Sequence, residues 1–467
     1  MRRARHTSRV CLAPDRDGRS PSLGLVVSRW EWSVAPCRRF RLGWACPPNT
    51  RLAPTSPRTL VSRSPAKVIR LRPEPRLLGA RGRGRSFRML LDDELRGRLG
   101  LLKAEGLYRE PGDARERERL ARVPGFVDAS SNDYLGLAAR PVSRETGAGG
   151  AGASRLVQGT RQEHVALEQE IADWVATPAA LLFNSGYAAN VGIVASLLDQ
   201  DSVVFSDALN HASLIDGCRL SRASVKVYRH LDLQDLERQL SGTCAARGRW
   251  VLTESYFSMD GDGPDLAKLR ELCDRYEARL LVDDAHALGV YGPEGAGRCA
   301  ELAVTPEVLV GTLGKAVGSQ GAFAAGSELL RTWLWNRARS FVFSTAPSPA
   351  LCRHTSDNIR LVRRADAERR RLLAACSSFR SRLVGSGVPI PSTSFGPIVP
   401  VQVGSNERAL AFAASLRQLG VLAQPIRPPT VPVGAARVRL TLTAALDSDQ
   451  LEQLACHVES AWAACAS

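Results

Sequence analysis

The sequence predicts an α/β protein with a mostly parallel sheet, followed by a smaller α+β domain. From about residue 160, short apolar runs alternate with helical patterns, and several of these runs are almost entirely apolar. Strands of that kind are buried on both faces, which indicates a parallel sheet between two layers of helices. Near residue 346 the pattern changes to a long charged helix, then strands and a final helix.

Each element has its own signal in the sequence. Residues 163–176 (EHVALEQEIADWVA) have the period of an amphipathic helix. The predicted strands of the large sheet are AALLF, SVVFSD, VKVYRH, WVLTES, RLLVDDA and VLVGTLG. A charged helix is predicted over 356–383, followed by the strands IVPVQVG and RVRLTLT. We therefore divide the chain into an extension (1–88), an N-terminal segment (89–145), a large domain (146–345) and a small C-terminal domain (346–467).

The net charge of +16 is confined to the extension. Residues 1–88 contain 21 Lys and Arg against 4 Asp and Glu, whereas the rest of the chain holds 42 basic and 43 acidic side chains. This balance leaves the folded part without the electrostatic footprint of a nucleic-acid-binding protein. No apolar run approaches the roughly 18 residues of a membrane span. We therefore expect neither nucleic acid nor membrane as a partner.

Three interpretations of the extension compete. It is a disordered tail, an organellar transit peptide, which is also rich in Arg and poor in acids, or upstream sequence translated from a misassigned start. We favour the misassigned start, because an amphipathic pattern begins at Met89. The ten prolines before it are too many for the amphipathic helix of a transit peptide.

The cysteines suggest a reducing compartment. Eleven are scattered along the chain, without a C-x-x-C pair and without a histidine at zinc spacing. We expect reduced thiols in a cytoplasmic protein, and no metal site.

One lysine stands among small residues in GTLGKAVGSQGA (311–322). A phosphate-binding P-loop is excluded, because two residues lie between Gly311 and Gly314 instead of four, and Ala316 follows Lys315 where Ser or Thr is required. Two interpretations remain. Lys315 is either a covalent amine with room for a bulky carbonyl compound, or a surface lysine in a Gly-rich turn.

Polar residues follow several predicted strands, where open α/β sheets bind their ligands. They are His211, Ser258, Asp283 and His286. The turn at Gly186 and Tyr187 opens an Ala-rich helix, whose free N–H groups suit a phosphate. Each of these residues also has an ordinary structural explanation, such as a helix-capping aspartate or a buried histidine.

Taken together and in order, six motifs resemble the α-oxoamine synthases, a family of pyridoxal-phosphate enzymes of fold type I. The motifs are SNDYLGLA, NSGYAAN, NHASLIDG, FSMDGD, VDDAH and TLGKAVGSQGA, and the resemblance covers about residues 89–467. It implies a homodimeric acyltransferase in which Lys315 forms the Schiff base with pyridoxal 5'-phosphate. The small residues around Lys315 would then make room for the ring and the substrate.

The resemblance also gives roles to the other positions. Asp283 would face the pyridine nitrogen and hold its proton, which makes the ring a better electron sink. His211 would stack on the ring. Ser258 and His286 would hydrogen-bond the region of the phenolic oxygen, and Gly186, Tyr187 and Thr312 would bind the phosphate or lie beside it.

The substrates are implied by IRPPTVPVGAARVRLTLTAAL (426–446). Within the family it is most similar to the members that condense L-alanine with a pimeloyl thioester in biotin synthesis. The two-residue strand period puts Arg437, Arg439, Thr441 and Thr443 on one face. One arginine there should bind the amino-acid carboxylate through paired hydrogen bonds, and the family pattern favours Arg439, assisted by Asn132.

The acyl substrate is expected to contact Thr430 and an N-terminal arginine. Arg109 is the candidate for the latter, although Tyr108 could occupy the matching place. Whether coenzyme A or acyl carrier protein carries the acyl group stays open. The alternatives are a sister synthase that uses glycine or serine with another acyl-CoA, and a non-catalytic homologue.

Overall fold

The computed structural model describes residues 87–109, 114–142, 148–243 and 248–466. The predicted extension therefore lies outside the described residues, apart from the backbone of its last two. None of the helices within these ranges is both long enough and apolar enough to cross a lipid bilayer.

The described residues form helices and strands in the following order along the chain. The α-helices are α1 (Phe87–Ala104), α2 (Ala114–Leu120), α3 (Gln162–Trp174), α4 (Gly186–Leu197), α5 (Ala212–Ser221), α6 (Leu233–Ser241), α7 (Leu266–Arg275), α8 (Arg298–Glu301), α9 (Glu328–Arg337), α10 (Arg339–Val342), α11 (Pro349–Arg364), α12 (Asp366–Gly385), α13 (Asn406–Gln418) and α14 (Ser448–Ala466). The strands are β1 (Val127–Asp128), β2 (Ala179–Phe183), β3 (Ser202–Asp207), β4 (Ser224–Tyr228), β5 (Gly248–Glu254), β6 (Ala278–Asp283), β7 (Val308–Thr312), β8 (Ala322–Gly326), β9 (Ile398–Gly404), β10 (Val421–Leu422), β11 (Gln424–Ile426) and β12 (Ala436–Thr441). A short π-helix spans Arg155–Gly159, and a 3-10 turn spans Pro293–Gly295.

Seven strands form one large sheet in the order β2-β8-β7-β6-β5-β3-β4. Strand β8 runs antiparallel to both of its neighbours, and the other pairs are parallel. The predicted mostly parallel sheet is therefore confirmed, and all six predicted strands belong to it. The sequence analysis missed β8, because its AFAAG run contains no β-branched residue and has weak strand propensity.

The strands of this sheet are apolar throughout because both faces are covered. Leu182 and Val251 pack on the side of α3, α6, α7 and α11, whereas their neighbours Leu181 and Leu252 pack on the side of α4, α5, α9 and α10. Successive side chains of a strand point to opposite faces. Full burial of one such aliphatic side chain stabilises the fold by ~1.5–3 kcal/mol.

The helices begin at polar caps that the sequence supplies. Ser185, Ser327, Ser348 and Ser405 each accept a hydrogen bond from the backbone N–H three residues later. A serine in this position satisfies one of the unpaired N–H groups of the first turn and stabilises a helix by ~1 kcal/mol. The caps therefore fix where α4, α9, α11 and α13 start.

The C-terminal part contains a three-stranded antiparallel sheet, in the order β11-β12-β9. Its core is shared with α12, α13 and α14. The single charged helix predicted over 356–383 is wrong, because α11 ends at Arg364 and α12 begins at Asp366. Ala365 leaves the helical conformation between them, and buried Arg369 donates to the carbonyl of Val362 across the break. The charge pattern continues through this point, so the sequence gives no signal of the interruption.

Candidate active site

Acidic and hydroxyl side chains meet where three parallel strands end. Glu254 is the last residue of β5 and lies opposite Asp283, the last residue of β6. Thr312 is the last residue of β7, on the other side of β6. Both acids are buried. Parallel pairing therefore sets two carboxyl groups side by side at the edge where such sheets bind ligands.

The loop between β7 and β8 carries Lys315 and is packed against two neighbouring segments. Gly318 has a φ of +65°, and a Cβ there would lie 2.5 Å from the backbone nitrogen of Ala138. Only glycine tolerates both conditions. Asn358 Nδ2 donates to the carbonyl oxygen of Val317 at 2.9 Å. The small residues of this loop thus allow the close packing that holds Lys315 in place.

Burial and the surrounding charges set the basicity of the Lys315 amine. Removal from water lowers the pKa of Lys315 to about 8, although the negative charges of Asp283 and Glu254 raise it; Arg439 lowers it further. An appreciable fraction of the amine is therefore uncharged near neutral pH, as a nucleophilic lysine requires. The side chain is partly buried, which excludes the interpretation of an ordinary surface lysine.

His286 is buried, and one hydrogen bond fixes its tautomer. Its Nδ1 lies 2.7 Å from the hydroxyl oxygen of Tyr134. Burial lowers the pKa of His286 well below its usual value, and Lys315 and Arg439 lower it further, so the ring is neutral. Burial raises the pKa of Tyr134, which keeps its proton and donates it to Nδ1. The ring proton of His286 is then on Nε2.

His211 is held as the same tautomer by a different neighbour. Its Nδ1 accepts from the backbone N–H of Ser213 at 3.2 Å and lies 2.7 Å from the Oγ of that serine. Partial removal from water lowers the pKa of His211; Asp283 opposes this effect and Lys315 adds to it. A neutral ring whose Nδ1 accepts must carry its proton on Nε2.

Asn190 connects these two parts of the site and was not predicted from the sequence. Its Nδ2 donates to Asp283 Oδ2 at 2.6 Å and to Ser213 Oγ at 3.0 Å. One buried amide therefore links Asp283 to the serine that orients His211. A signal was available, because Asn190 stands four residues after Gly186 in the same helix and so lies on the same face.

Arg439 contacts Asn132, its expected neighbour, and also the turn that contains Ser258. Its Nη2 donates to Asn132 Oδ1 at 3.0 Å, and its Nη1 donates to the carbonyl oxygen of Ser258 at 3.1 Å. Arg437, the other candidate on this strand, forms an ion pair with Asp260. Of the two arginines, Arg439 is therefore the one beside Lys315 and Asn132.

One expectation for this strand is wrong. Thr443 does not share a strand face with the arginines, because β12 ends at Thr441. Thr441 pairs with Ile398, the first residue of β9, so there is no neighbouring strand for the residues beyond it.

The residues expected at the phosphate lie at the start of α4. A Cβ on Gly186 would lie 4.0 Å from the Oγ1 of Thr312, so these two residues are neighbours. Tyr187 is exposed, and its hydroxyl donates to Asp216 Oδ2 at 2.5 Å. The phenol is thus engaged with α5. The free N–H groups and the positive dipole of the helix end remain suited to an anion.

The residues expected to contact the acyl substrate lie on neighbouring segments. Arg109 Nη2 donates to the carbonyl oxygen of Pro428 at 3.4 Å, two residues before Thr430. The sequence analysis missed Arg427, which donates to the carbonyl oxygen of Tyr108 at 3.4 Å. Two guanidinium groups therefore lie close together there, and the repulsion from Arg109 lowers the pKa of Arg427, in addition to the larger effect of burial.

The residues present fit pyridoxal 5'-phosphate. Lys315 supplies an amine for its aldehyde, and the two histidines supply neutral N–H donors. The carboxylate of Asp283 is hydrogen-bonded by uncharged donors, the amide of Asn190 and the backbone N–H of Ala285, so its charge is available for a protonated ring nitrogen. Within the described ranges, no three His, Cys, Asp or Glu side chains cluster in a way that could hold a metal ion.

Comparisons with known proteins agree with this chemistry. The family of class I and II aminotransferases matches residues 124–458. The 8-amino-7-oxononanoate synthase of Anaeromyxobacter dehalogenans is 45% identical over 372 residues, which cover 77% of this chain and 93% of that protein. The 8-amino-7-oxononanoate synthase 2 of Bacillus subtilis is 41% identical over 366 residues, which cover 76% and 94%.

Solved structures with a similar fold include enzymes of the same kind, at lower sequence identity. The serine palmitoyltransferase of Sphingomonas wittichii has a TM-score of 0.72 and 26% identity, covering 82% of this chain and 99% of that one. The 8-amino-7-oxononanoate synthase of Francisella tularensis has a TM-score of 0.63 and 26% identity, covering 72% and 97%. The chain therefore belongs to the class I and II aminotransferase family, among the α-oxoamine synthases that use pyridoxal 5'-phosphate.

Proposed function

We propose that this chain catalyses the decarboxylative condensation of L-alanine with a pimeloyl thioester. The products are 8-amino-7-oxononanoate, carbon dioxide and the free thiol of the acyl carrier, and the reaction is a step of biotin synthesis. The observation that carries the proposal is the meeting of Lys315, Asp283 and Arg439 at one edge of the sheet. The curated relatives, which are named for synthesis of this product, share 41–46% identity with the chain.

The proposed roles follow from the chemistry of each side chain. Pyridoxal phosphate, when bound, accepts the electron pair of the bond that is broken at the α-carbon of the amino acid. Asp283 would hold the proton on the pyridine nitrogen. His286 would present its Nε2–H to the phenolic oxygen, and His211 would stack on the ring. The free amine of Lys315, whose pKa is lowered to about 8, removes the α-proton of alanine.

Arg439 is proposed to bind the carboxylate of alanine. Its guanidinium group is buried and already oriented by Asn132 and the carbonyl of Ser258. Such a group binds a carboxylate through two parallel hydrogen bonds and places the α-carbon with little freedom. On the acyl side, Thr430 is proposed to contact the acyl chain, and Arg109 with Arg427 the anionic carrier.

Two rival functions are less well supported. Likeness of fold does not separate the rivals, because the solved serine palmitoyltransferase and the solved 8-amino-7-oxononanoate synthase are both 26% identical to this chain. The curated relatives favour the proposal, because 8-amino-7-oxononanoate synthases reach 45% identity over most of the chain. A non-catalytic homologue would have no need of a lysine with a lowered pKa beside two acids, as Lys315 is beside Asp283 and Glu254. Lys315, Asp283 and His286 are also all present in the sequence.

The substrate assignment predicts a preference among amino acids. The holoenzyme is mixed with pimeloyl-CoA and, separately, with L-alanine, glycine or L-serine, and kcat/KM and product mass are measured. We expect alanine to exceed glycine by about tenfold or more, the usual value of one methyl group in a fitted pocket. We expect a similar preference over serine, because serine brings an additional hydroxyl group into that pocket. A preference for glycine or serine would assign the chain to a sister synthase.

The link through Asn190 predicts a loss of rate without loss of the cofactor. Asn190→Ala leaves Asp283 and Ser213 without their shared donor, and we expect kcat to fall about tenfold or more, equivalent to ~1.4 kcal/mol. Visible absorption should show that the cofactor remains bound. Asn184→Ala is the matched control, because Asn184 is exposed and donates only to the carbonyl of Thr345 among the described contacts. Equal kcat values for the two variants would show that Asn190 does not act on the reaction.

We also propose that the active unit is a homodimer. Val157, on the π-helix, and Phe343, which follows α10, are 80% and 71% exposed. The π-helix packs against α10, so these apolar side chains belong to neighbouring elements. Exposed apolar groups of this kind favour a protein interface. Sedimentation velocity at micromolar concentration should give twice the mass of the chain, and a fully active monomer would contradict the proposal. The cytoplasmic location stays a prediction.

A further inference from the structure

We propose that His230 is a positioning residue that holds together the two loops carrying His211 and Ser258. Its imidazole bridges two buried carboxyl groups. Nδ1 lies 2.7 Å from Asp207 Oδ1, and Nε2 lies 3.3 Å from each oxygen of Asp262. The inference rests on the proposed function, in which His211 contacts the cofactor, and on the cofactor contact that the family resemblance implies for Ser258; His230 itself does not contact the cofactor.

The two carboxyl groups belong to different loops of the site. Asp207 ends β3 and accepts the backbone N–H of Leu209 at 2.8 Å, which shapes the loop leading to His211. Asp262 closes the turn that contains Ser258, because its carbonyl accepts the backbone N–H of Phe257 at 2.7 Å. His230 follows a third element, β4. It therefore links two loops that are not neighbours in the sequence.

The geometry requires both ring nitrogens of His230 to donate. A neutral imidazole has one N–H, and two carboxylates on opposite sides need two donors, so the ring is an imidazolium. Burial alone would lower the pKa of His230, but the hydrogen bonds and charges of Asp207 and Asp262 raise it to about 10. The imidazole of His230 also packs perpendicular to the ring of Phe257, with the two centroids 4.5 Å apart and the planes at 89°.

The backbone around His230 is fixed in a conformation that costs energy. Leu231 has a φ of +56°, which is uncommon for a residue with a branched side chain. Its N–H donates to Asp207 Oδ2 at 3.0 Å, and the N–H of Arg229 donates to Asp235 Oδ2 at 2.8 Å. Strain of this kind persists where the surroundings over-determine it, and it is concentrated at functional sites.

The turn held by His230 also supports the proposed carboxylate site. The carbonyl oxygen of Ser258 accepts from Arg439 at 3.1 Å, and that of Met259 accepts from Arg437 at 3.3 Å. A displacement of this turn would therefore move Arg439 as well as Ser258. Loss of His230 should weaken the binding of alanine and change the environment of the cofactor, even though His230 contacts neither.

The test compares three single variants, and the double variant His230→Gln/Asp262→Asn, as holoenzymes without acyl substrate. His230→Gln removes the cation, Asp262→Asn removes the negative charge that attracts the cation to the turn, and Arg229→Gln is the matched control. Arg229 is an exposed neighbour that pairs with Asp232 and Asp235. The dissociation constant of L-alanine is measured from the change in visible absorption. If the wild type prefers glycine or serine, that amino acid is used instead.

We expect about tenfold weaker binding, equivalent to ~1.4 kcal/mol, in His230→Gln and in Asp262→Asn, and wild-type binding in Arg229→Gln. The double variant should bind no more weakly than His230→Gln, because both changes break the same link. If His230→Gln binds the amino acid as tightly as Arg229→Gln does, His230 is only structural and the proposal is wrong. If His230→Gln does not fold, Asp262→Asn alone decides in the same way. A wild type that prefers another amino acid would overturn the proposed substrate and leave this comparison valid.

A pH series tests the imidazolium. A pKa raised from 6.5 to about 10 gives a stabilisation that is complete below pH 6.5 and is lost as pH rises through about 10. The charged groups that face His230 are Asp207 and Asp262. Asp207 also interacts electrostatically with Glu254 and Tyr228. The melting temperatures of wild type and His230→Gln should therefore differ most below pH 6.5 and converge near pH 10. A difference that stays constant over this range would show that His230 is not the cation.

Discussion

The parallel pairing of β5 with β6 places Glu254 directly opposite Asp283, and the rest of the site depends on how two adjacent buried acids are accommodated. Burial raises the pKa of Glu254 well above its usual value, and the neighbouring charge of Asp283 raises it further. Glu254 therefore holds its proton more strongly than a free carboxylic acid does, and its Oε1 accepts the backbone N–H of His211 at 2.7 Å. Asp283 then supplies the negative charge that a protonated pyridine ring requires.

The surroundings of this charge are built from neutral donors with fixed directions. Tyr134 donates to Nδ1 of His286, and Ser213 donates to Nδ1 of His211. Both histidines therefore carry their proton on Nε2. The amide of Asn190 donates to two acceptors within the site, Ser213 and Asp283. Groups that are oriented before the ligand arrives need no reorganisation during the reaction. We propose that charged groups outside the site hold two of its loops, through the contacts of His230 with Asp207 and Asp262.

Much of the fold could be predicted from the sequence because its strands are continuous apolar runs, and because Lys315, Asp283 and His211 stand in recognisable motifs. The missed features depend on contacts between distant residues. Nothing local marks Tyr134 as the partner of His286, 152 positions away, or His230 as a bridge to Asp262. Similarly, AFAAG is a strand only because β2 and β7 lie on either side of it. The roles assigned to the individual site residues stay predictions.

The central claim is that Lys315 is the amine that binds the cofactor, and the chain offers a clear test because it contains five lysines: Lys67, Lys103, Lys226, Lys268 and Lys315. The coloured holoenzyme is reduced with borohydride, digested and analysed by peptide mass spectrometry. The account predicts that the reduced cofactor is found on one peptide, the one containing Lys315. Modification of another lysine, with the Lys315 peptide unchanged, would contradict it.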